Sequence, residues 1–299
     1  MGRSRWRALA AFASLPILLA ACSGMSSGDA SAGSAAVPPK VPVLHEATDS
    51  TIAISDTSQG YTFDSDMTTL PASQTYKFRI LRPDGKPQMD YLWDQTKLLH
   101  FLAIRNDFTN FAHVHPTLAS DGTWSVRLPL NAAGPYQLYV DFLLKDQQGQ
   151  PKHLVLRRPL DVPGSFQLSP VVPAPSMSGE ADGYKITFLK SPKPWTVVLL
   201  PARVTRIDGT PVSDLQPYLA VFAHFTSFNI SNDLYGHAHP IEYAGAGREG
   251  WPDSTMPQFH GGPNLTFHAE FPGAGDYRAF VEFQIAGQLH TAALTLHVQ

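Results

Sequence analysis

Cysteine is nearly absent from this chain: one residue in 299, Cys22. That excludes an internal disulfide, a blue-copper centre with a thiolate inside the fold, and a tetrathiolate zinc site. Charge is also sparse, at 16% of residues with a formal net charge of -3, so no basic stripe is offered to nucleic acid. After the first residues no segment sustains helical periodicity over a dozen positions, which argues against bundles and against α/β crossovers. No Gly-rich loop leads from a strand into a helix, and no Gly-x-Ser-x-Gly elbow occurs. Phosphate-cradle and nucleophile-elbow chemistry therefore have no sequence support, and the reading is of a binding protein, not an enzyme. Aliphatic and aromatic residues are plentiful, 43% of the chain, enough for ordinary cores.

The opening residues MGRSRWRALAAFASLPILLAAC combine positive charge, a short apolar run and small residues, the pattern of an export signal. Leu19-Ala20-Ala21-Cys22 resembles the bacterial lipobox, which implies cleavage after residue 21 and diacylation of the Cys22 sulfur. Several acyl chains hold a protein on a membrane durably, at about 0.8 kcal/mol per buried methylene. Residues 22–47 are rich in Ser, Gly, Ala and Pro and read as a flexible tether. The expected location is extracytoplasmic, secreted and lipid-anchored to the cell membrane.

Beyond the tether the chain repeats itself. HFLAIRNDFTNFAHVHP (100–116) and HFTSFNISNDLYGHAHP (224–240) superpose without a gap, and each follows an Asp-Gly-x-Pro turn sixteen residues upstream of its first histidine. AGPYQLYVDF (133–142) matches AGDYRAFVEF (274–283), and His153 and His290 each open a following run. The expected domains are 48–165 and 178–299, joined by the proline-rich 166–177. Within each, short runs rich in Val, Ile, Phe, Tyr and Thr are punctuated by Gly, Pro, Asn and Asp, an all-β pattern. Ala-Gly-x-Tyr before an alternating run resembles the tyrosine corner of immunoglobulin-like sandwiches. The expected fold is thus two tandem immunoglobulin-like β-sandwiches, with Tyr136, Leu138, Val140 and Phe142, and Tyr277, Ala279, Val281 and Phe283, facing the cores.

The same alternation sorts the histidines. His113 and His115 share a face with Phe111, and His237 and His239 share one with Tyr235. Adding the upstream strand histidine, the late-strand carboxylate and the following histidine gives one candidate set per repeat. These are His100, His113, His115, Asp141 and His153, and then His224, His237, His239, Glu282 and His290. Imidazole with carboxylate suits zinc, copper or nickel, with the carboxylates either bound directly or orienting a ring. The His-Val-His alternation is similar to that of copper,zinc superoxide dismutase, whose downstream spacing and cysteine pair are lacking here. The competing reading makes these histidines structural, in a non-catalytic cell-envelope scaffold that meets a protein or glycan partner, with the long insertion 242–264 as the contacting loop.

The second repeat carries a longer phrase: His224, HAHP, FHAEFPGAGDY and Leu289-His290-Thr291-Ala292. It resembles a group of bacterial secreted proteins and lipoproteins, frequent in actinobacteria, with tandem His-x-His-Pro domains that are sometimes described as heavy-metal-binding. The resemblance covers most of 60–299. It implies an exported β-sandwich protein, and adds to localisation and fold more than to activity. The first repeat departs from the phrase, with WSVRLPLNAAGPY and a longer turn before His153.

Overall fold

The computed structural model describes residues 55–169, 172–241 and 260–299. The expected export signal, the tether with Cys22 and most of the 242–264 insertion lie outside them. Every regular element among the described residues is a β-strand. The first repeat contains β1 (Thr57–Ser58), β2 (Tyr61–Asp64), β3 (Thr75–Leu81), β4 (His100–Arg105), β5 (Phe111–Val114), β6 (Thr117–Leu118), β7 (Trp124–Arg127), β8 (Gly134–Lys145) and β9 (Pro151–Val162). The second contains β10 (Ser178–Ala181), β11 (Tyr184–Phe188), β12 (Val197–Arg206), β13 (Ala223–Asn229), β14 (Tyr235–Ala238), β15 (Asn264–Glu270), β16 (Gly275–Ile285) and β17 (Gln288–Val298).

The first repeat folds into two sheets, β1-β2-β3-β7-β6 and β5-β4-β8-β9, packed as a sandwich. In the second, β14-β13-β16-β17 and β10-β11-β12-β15 join through the single register pair Glu180↔Ala293. Each sandwich has its own core. Tyr136, Leu138, Val140 and Phe142 lie in the first, and Tyr277, Ala279, Val281 and Phe283 in the second, as the alternation predicts. The tyrosine corners are present in both. Tyr136 donates to the Ala132 carbonyl and Tyr277 to the Gly273 carbonyl, each at 2.9 Å and each four residues back.

The Asp-Gly-x-Pro turns are also as expected. Gly85 and Gly209 take φ of 77° and 88°, left-handed values that cost a residue without Cβ little. Asp84 and Asp208 accept the backbone N–H two residues on, at 3.1 and 2.9 Å.

A third apolar cluster belongs to neither sandwich alone. Leu102, Ile104 and Tyr139 of the first repeat meet Phe228, Tyr235 and Phe280 of the second. Phe111 stacks on Phe280 with ring centroids 4.3 Å apart, and Tyr139 on Tyr235 at 5.2 Å. The outer faces of β5-β4-β8-β9 and β14-β13-β16-β17 are therefore pressed together. This contact positions the site.

Candidate metal centre

Side chains alternate along a strand, so the residues facing out of each sandwich form rows. On β4 the outward row is His100, Leu102 and Ile104, and on β13 it is His224, Thr226 and Phe228. On the late strands Asp141 continues from Tyr139, and Glu282 from Phe280. In an isolated sandwich these rows would meet water. Here the opposite repeat covers them: His100 and His224 are 0% exposed, Asp141 1% and Glu282 4%. One part of the contact is aromatic, and beside it sit the histidines.

Carboxylates are exchanged between the repeats. His113 Nδ1 lies 2.6 Å from Glu282 Oε2, and His237 Nδ1 lies 3.2 Å from Asp141 Oδ2. Asp141 also accepts the Tyr235 hydroxyl at 2.9 Å and a hydrogen bond from His153 Nε2. The first histidine of each repeat is fixed differently: Nε2 of His100 faces the Asp94 carbonyl at 3.2 Å, and Nε2 of His224 faces the Tyr218 carbonyl at 3.1 Å.

These partners settle the protons. A carbonyl or carboxylate oxygen only accepts, so Nε2 of His100 and His224 and Nδ1 of His113 and His237 carry the N–H. In neutral rings the other nitrogens are then bare lone pairs, and all of them point inward. His100 Nδ1 stands 3.0 Å from His113 Nε2 and 3.2 Å from His115 Nε2. Nδ1 of His224 and Nε2 of His237 are buried with no hydrogen-bond partner. Donor atoms of His100, His113 and His237 lie within 4.8 Å of one another, and so do those of His224, His237 and His239. Facing lone pairs at 3.0 Å repel unless a cation lies between them.

A proton is a poor candidate for that cation. Burial, then repulsion from His237 and His113, holds His100 well below the ordinary imidazole value. Burial followed by His113 and His237 does the same at His224, and burial followed by His113 and His100 at His115. Asp141 is pulled the other way. Burial raises it, but the charge and hydrogen bond of His153 and then the His237 bond outweigh this, and it sits well below the usual carboxylate range. Burial likewise lowers His153, yet the Asp141 charge overcomes it and the net shift is upward. The His153–Asp141 pair thus favours the charged form of both partners, while His100, His115 and His224 are held in the neutral form that a borderline metal ion requires of its imidazole ligands.

Of the ten sequence candidates, His100, His113, His115, His224, His237 and His239 come together. Asp141 and Glu282 stand behind them, each holding a ring of the other repeat, His237 and His113, and Asp141 holds His153 of its own repeat as well. His153 reaches Asp141 through Nε2. His290 is a correction. Its Nδ1 lies 3.0 Å from Asp182 Oδ2, and its ring packs against Tyr184 and Phe283. The two histidines are not equivalent. Phe142 pairs with Leu154 while the matching Phe283 pairs with His290, so His153 corresponds to Leu289. A one-residue slip exchanges the faces of a sheet.

Two features escape sequence reasoning. Gln95 and Thr96, and Leu219 and Ala220, are consecutive left-handed residues, with φ between 41° and 69°, in two-residue turns closed by Asp94–Lys97 and Tyr218–Val221. Such turns ordinarily use Asn-Gly or Gly-Gly. Here strained turns without glycine aim the carbonyls that receive His100 and His224. Their matched place, four residues before each first histidine, was the available signal. The second is Tyr235, aligned with Phe111, whose hydroxyl adds a donor to Asp141 that Glu282 does not receive from the phenylalanine.

Among solved structures, similarity extends to a tetra-tandem repeat in the extending region of a large adhesion protein, at 11% identity and TM-score 0.23. That match covers 79% of this chain and 48% of the other, so the chain spans about half its length. The Yersinia pseudotuberculosis adhesin InvE matches at 12% identity and TM-score 0.21, covering 79% of this chain and 58% of that one. The fibronectin(III)-like modules of Clostridium thermocellum CbhA match at 11% identity and TM-score 0.18, covering 80% and 94%. No curated protein matches. One family model covers most of the sequence, matching residues 56–155 and 179–299, which fall on the two sandwiches; the chain belongs to the family described as Domain of unknown function (DUF8832).

Proposed function

We propose that this protein is a membrane-anchored extracytoplasmic lipoprotein that binds a transition metal, zinc or copper, between its two repeats, for sequestration, sensing or delivery. The observation that carries the metal reading is the convergence of proton-free imidazole nitrogens in a buried space, with the outer nitrogens of four rings tied to carboxylate or carbonyl oxygens. Metal-bound histidines usually have their second nitrogen held in this way, which fixes the tautomer and raises ligand basicity. With no thiolate in the set, zinc and copper are preferred by the order of divalent affinities and the softness of imidazole. The anchor reading rests on the lipobox-like Leu19-Ala20-Ala21-Cys22 behind its apolar run.

Calorimetric titration of the chelator-stripped protein with Zn(II) and Cu(II) tests the metal reading. His237→Ala removes the residue common to both groups of close donors and should lower the heat measurably. Absence of heat, or heat indifferent to this change, would leave the histidines as structural groups of an envelope scaffold. Metabolic labelling with palmitate tests the anchor: label should enter the wild type and vanish with Cys22→Ala.

A further inference from the structure

The six inner histidines are more than one ion needs. We infer, building on the metal reading above, that the contact between the repeats takes two ions side by side, one per histidine triad, with copper the favoured occupant. The donors themselves divide this way. His237 gives Nδ1 to Asp141, so Nε2 is its one remaining donor and serves a single ion, although it belongs to both groups of close donors. Register pairs β14 with β13, keeping His237 with His224 and His239.

The other group then needs a third ligand, and His115 supplies it. Its Nε2 is 3.2 Å from His100 Nδ1, which in turn is 3.0 Å from His113 Nε2. Bonds of 2.0–2.1 Å in tetrahedral geometry place donors ~3.3 Å apart, so this spacing suits one ion. Internal duplication supplies the second triad from equivalent positions, His224, His237 and His239, whose donors lie within 4.8 Å of one another.

Three imidazoles leave a four-coordinate ion one open position. Across the contact the rings of His100 and His237 are 5.1 Å apart, and those of His113 and His224 5.5 Å. The two triads are therefore neighbours, and ions held by them would be close enough to interact, as in sites that hold two metals about 3.5–4 Å apart. One carboxylate stands behind each triad, Glu282 behind His113 and Asp141 behind His237. Their negative charge offsets part of the repulsion between two buried cations.

The test uses the detergent-solubilised full-length chain, stripped with chelator and dialysed against Cu(II) or Zn(II). Two equivalents per chain are expected by elemental analysis, with a Cu(II) spin count well below one per copper because neighbouring ions couple. His115→Ala and His239→Ala should each lower the uptake to one equivalent and restore the full spin of the remaining copper. If a variant does not fold, as judged by circular dichroism, the wild-type stoichiometry and spin count decide. One equivalent in the wild type, or two coppers with independent spins, would overturn the two-ion centre and leave the metal reading standing. No uptake overturns both.

Discussion

At the scale of single residues, the site is governed by who holds each imidazole's second nitrogen. Asp141 gathers Tyr235, His237 and His153, whereas Glu282 is paired with His113. Asp141→Asn should therefore weaken metal binding about 10–100-fold without abolishing it, the range typical for loss of a group that orients a ligand. Competition against a chelator of known affinity measures this. His290→Ala should leave affinity unchanged, since that ring is engaged with Asp182 on the other side of β17.

Protonation is the second residue-scale consequence. His100, His115 and His224 have folded-state values well below 6.5, so an unfolded chain binds more protons than the folded one as pH drops below about 6.5. Stability of the metal-free protein is then expected to fall with pH in that window, by at most about 1.4 kcal/mol per pH unit for each such group. Asp141 contributes in the same direction, its stabilisation being lost as pH falls from the unfolded carboxylate range through its lowered folded value. His153 has the opposite sign, favouring the fold at low pH and losing its contribution as pH rises through its raised value. Urea unfolding at pH 7.5, 6.5 and 5.5 checks the slope. A flat profile would mean the inner rings are not held neutral.

At the scale of elements, the two strained turns and the two tyrosine corners have separable roles. Left-handed non-glycine residues cost about 1–2 kcal/mol each, and glycine removes that strain at an entropic cost. Ala220→Gly, at φ of 65°, is expected to stabilise the fold by about 0.5–1 kcal/mol in equilibrium unfolding. Removing a corner hydroxyl, Tyr136→Phe or Tyr277→Phe, should destabilise by about 1 kcal/mol and leave metal affinity alone, because both rings face their own cores. The corners could be read from Ala-Gly-x-Tyr because they are local, a hydroxyl meeting a carbonyl four residues back. The strained turns could not, because Gln95-Thr96 and Leu219-Ala220 lack the residues that normally announce such a conformation. Tertiary packing sets their backbone against propensity.

At the scale of the molecule, the two sandwiches are joined by an aromatic contact and a polar one lying side by side. Phe280 is 4% exposed and stacks on Phe111 across the contact. Phe280→Ala should cost about 3–5 kcal/mol and weaken metal binding as well, since a loosened contact moves one triad away from the carboxylate that orients it. Metal should in turn raise the thermal midpoint. Free metal at one hundred times its dissociation constant adds ~2.7 kcal/mol to the folded state if the unfolded chain does not bind, and chelator should reverse this in the same scan.

The sequence alone determined the repeats, the all-β sandwiches, the shared face of each His-x-His pair, and a candidate set of ten residues that includes the six inner histidines. These follow from spacing, from period-two alternation and from local turn chemistry, all expressed within a few residues. Only the tertiary structure decided that the inner histidines of the two sets form a single cluster, that a carboxylate of each repeat holds a ring of the other, and that His290 stands apart. The physical reason is that an outward row on a β-sheet has no partner until another surface is laid against it. Which surface that is depends on Phe111, Tyr139, Phe228 and Phe280 packing between repeats that are distant in the chain. A shift of one residue between β8-β9 and β16-β17 moves a histidine from one face to the other, and no count along the sequence registers it.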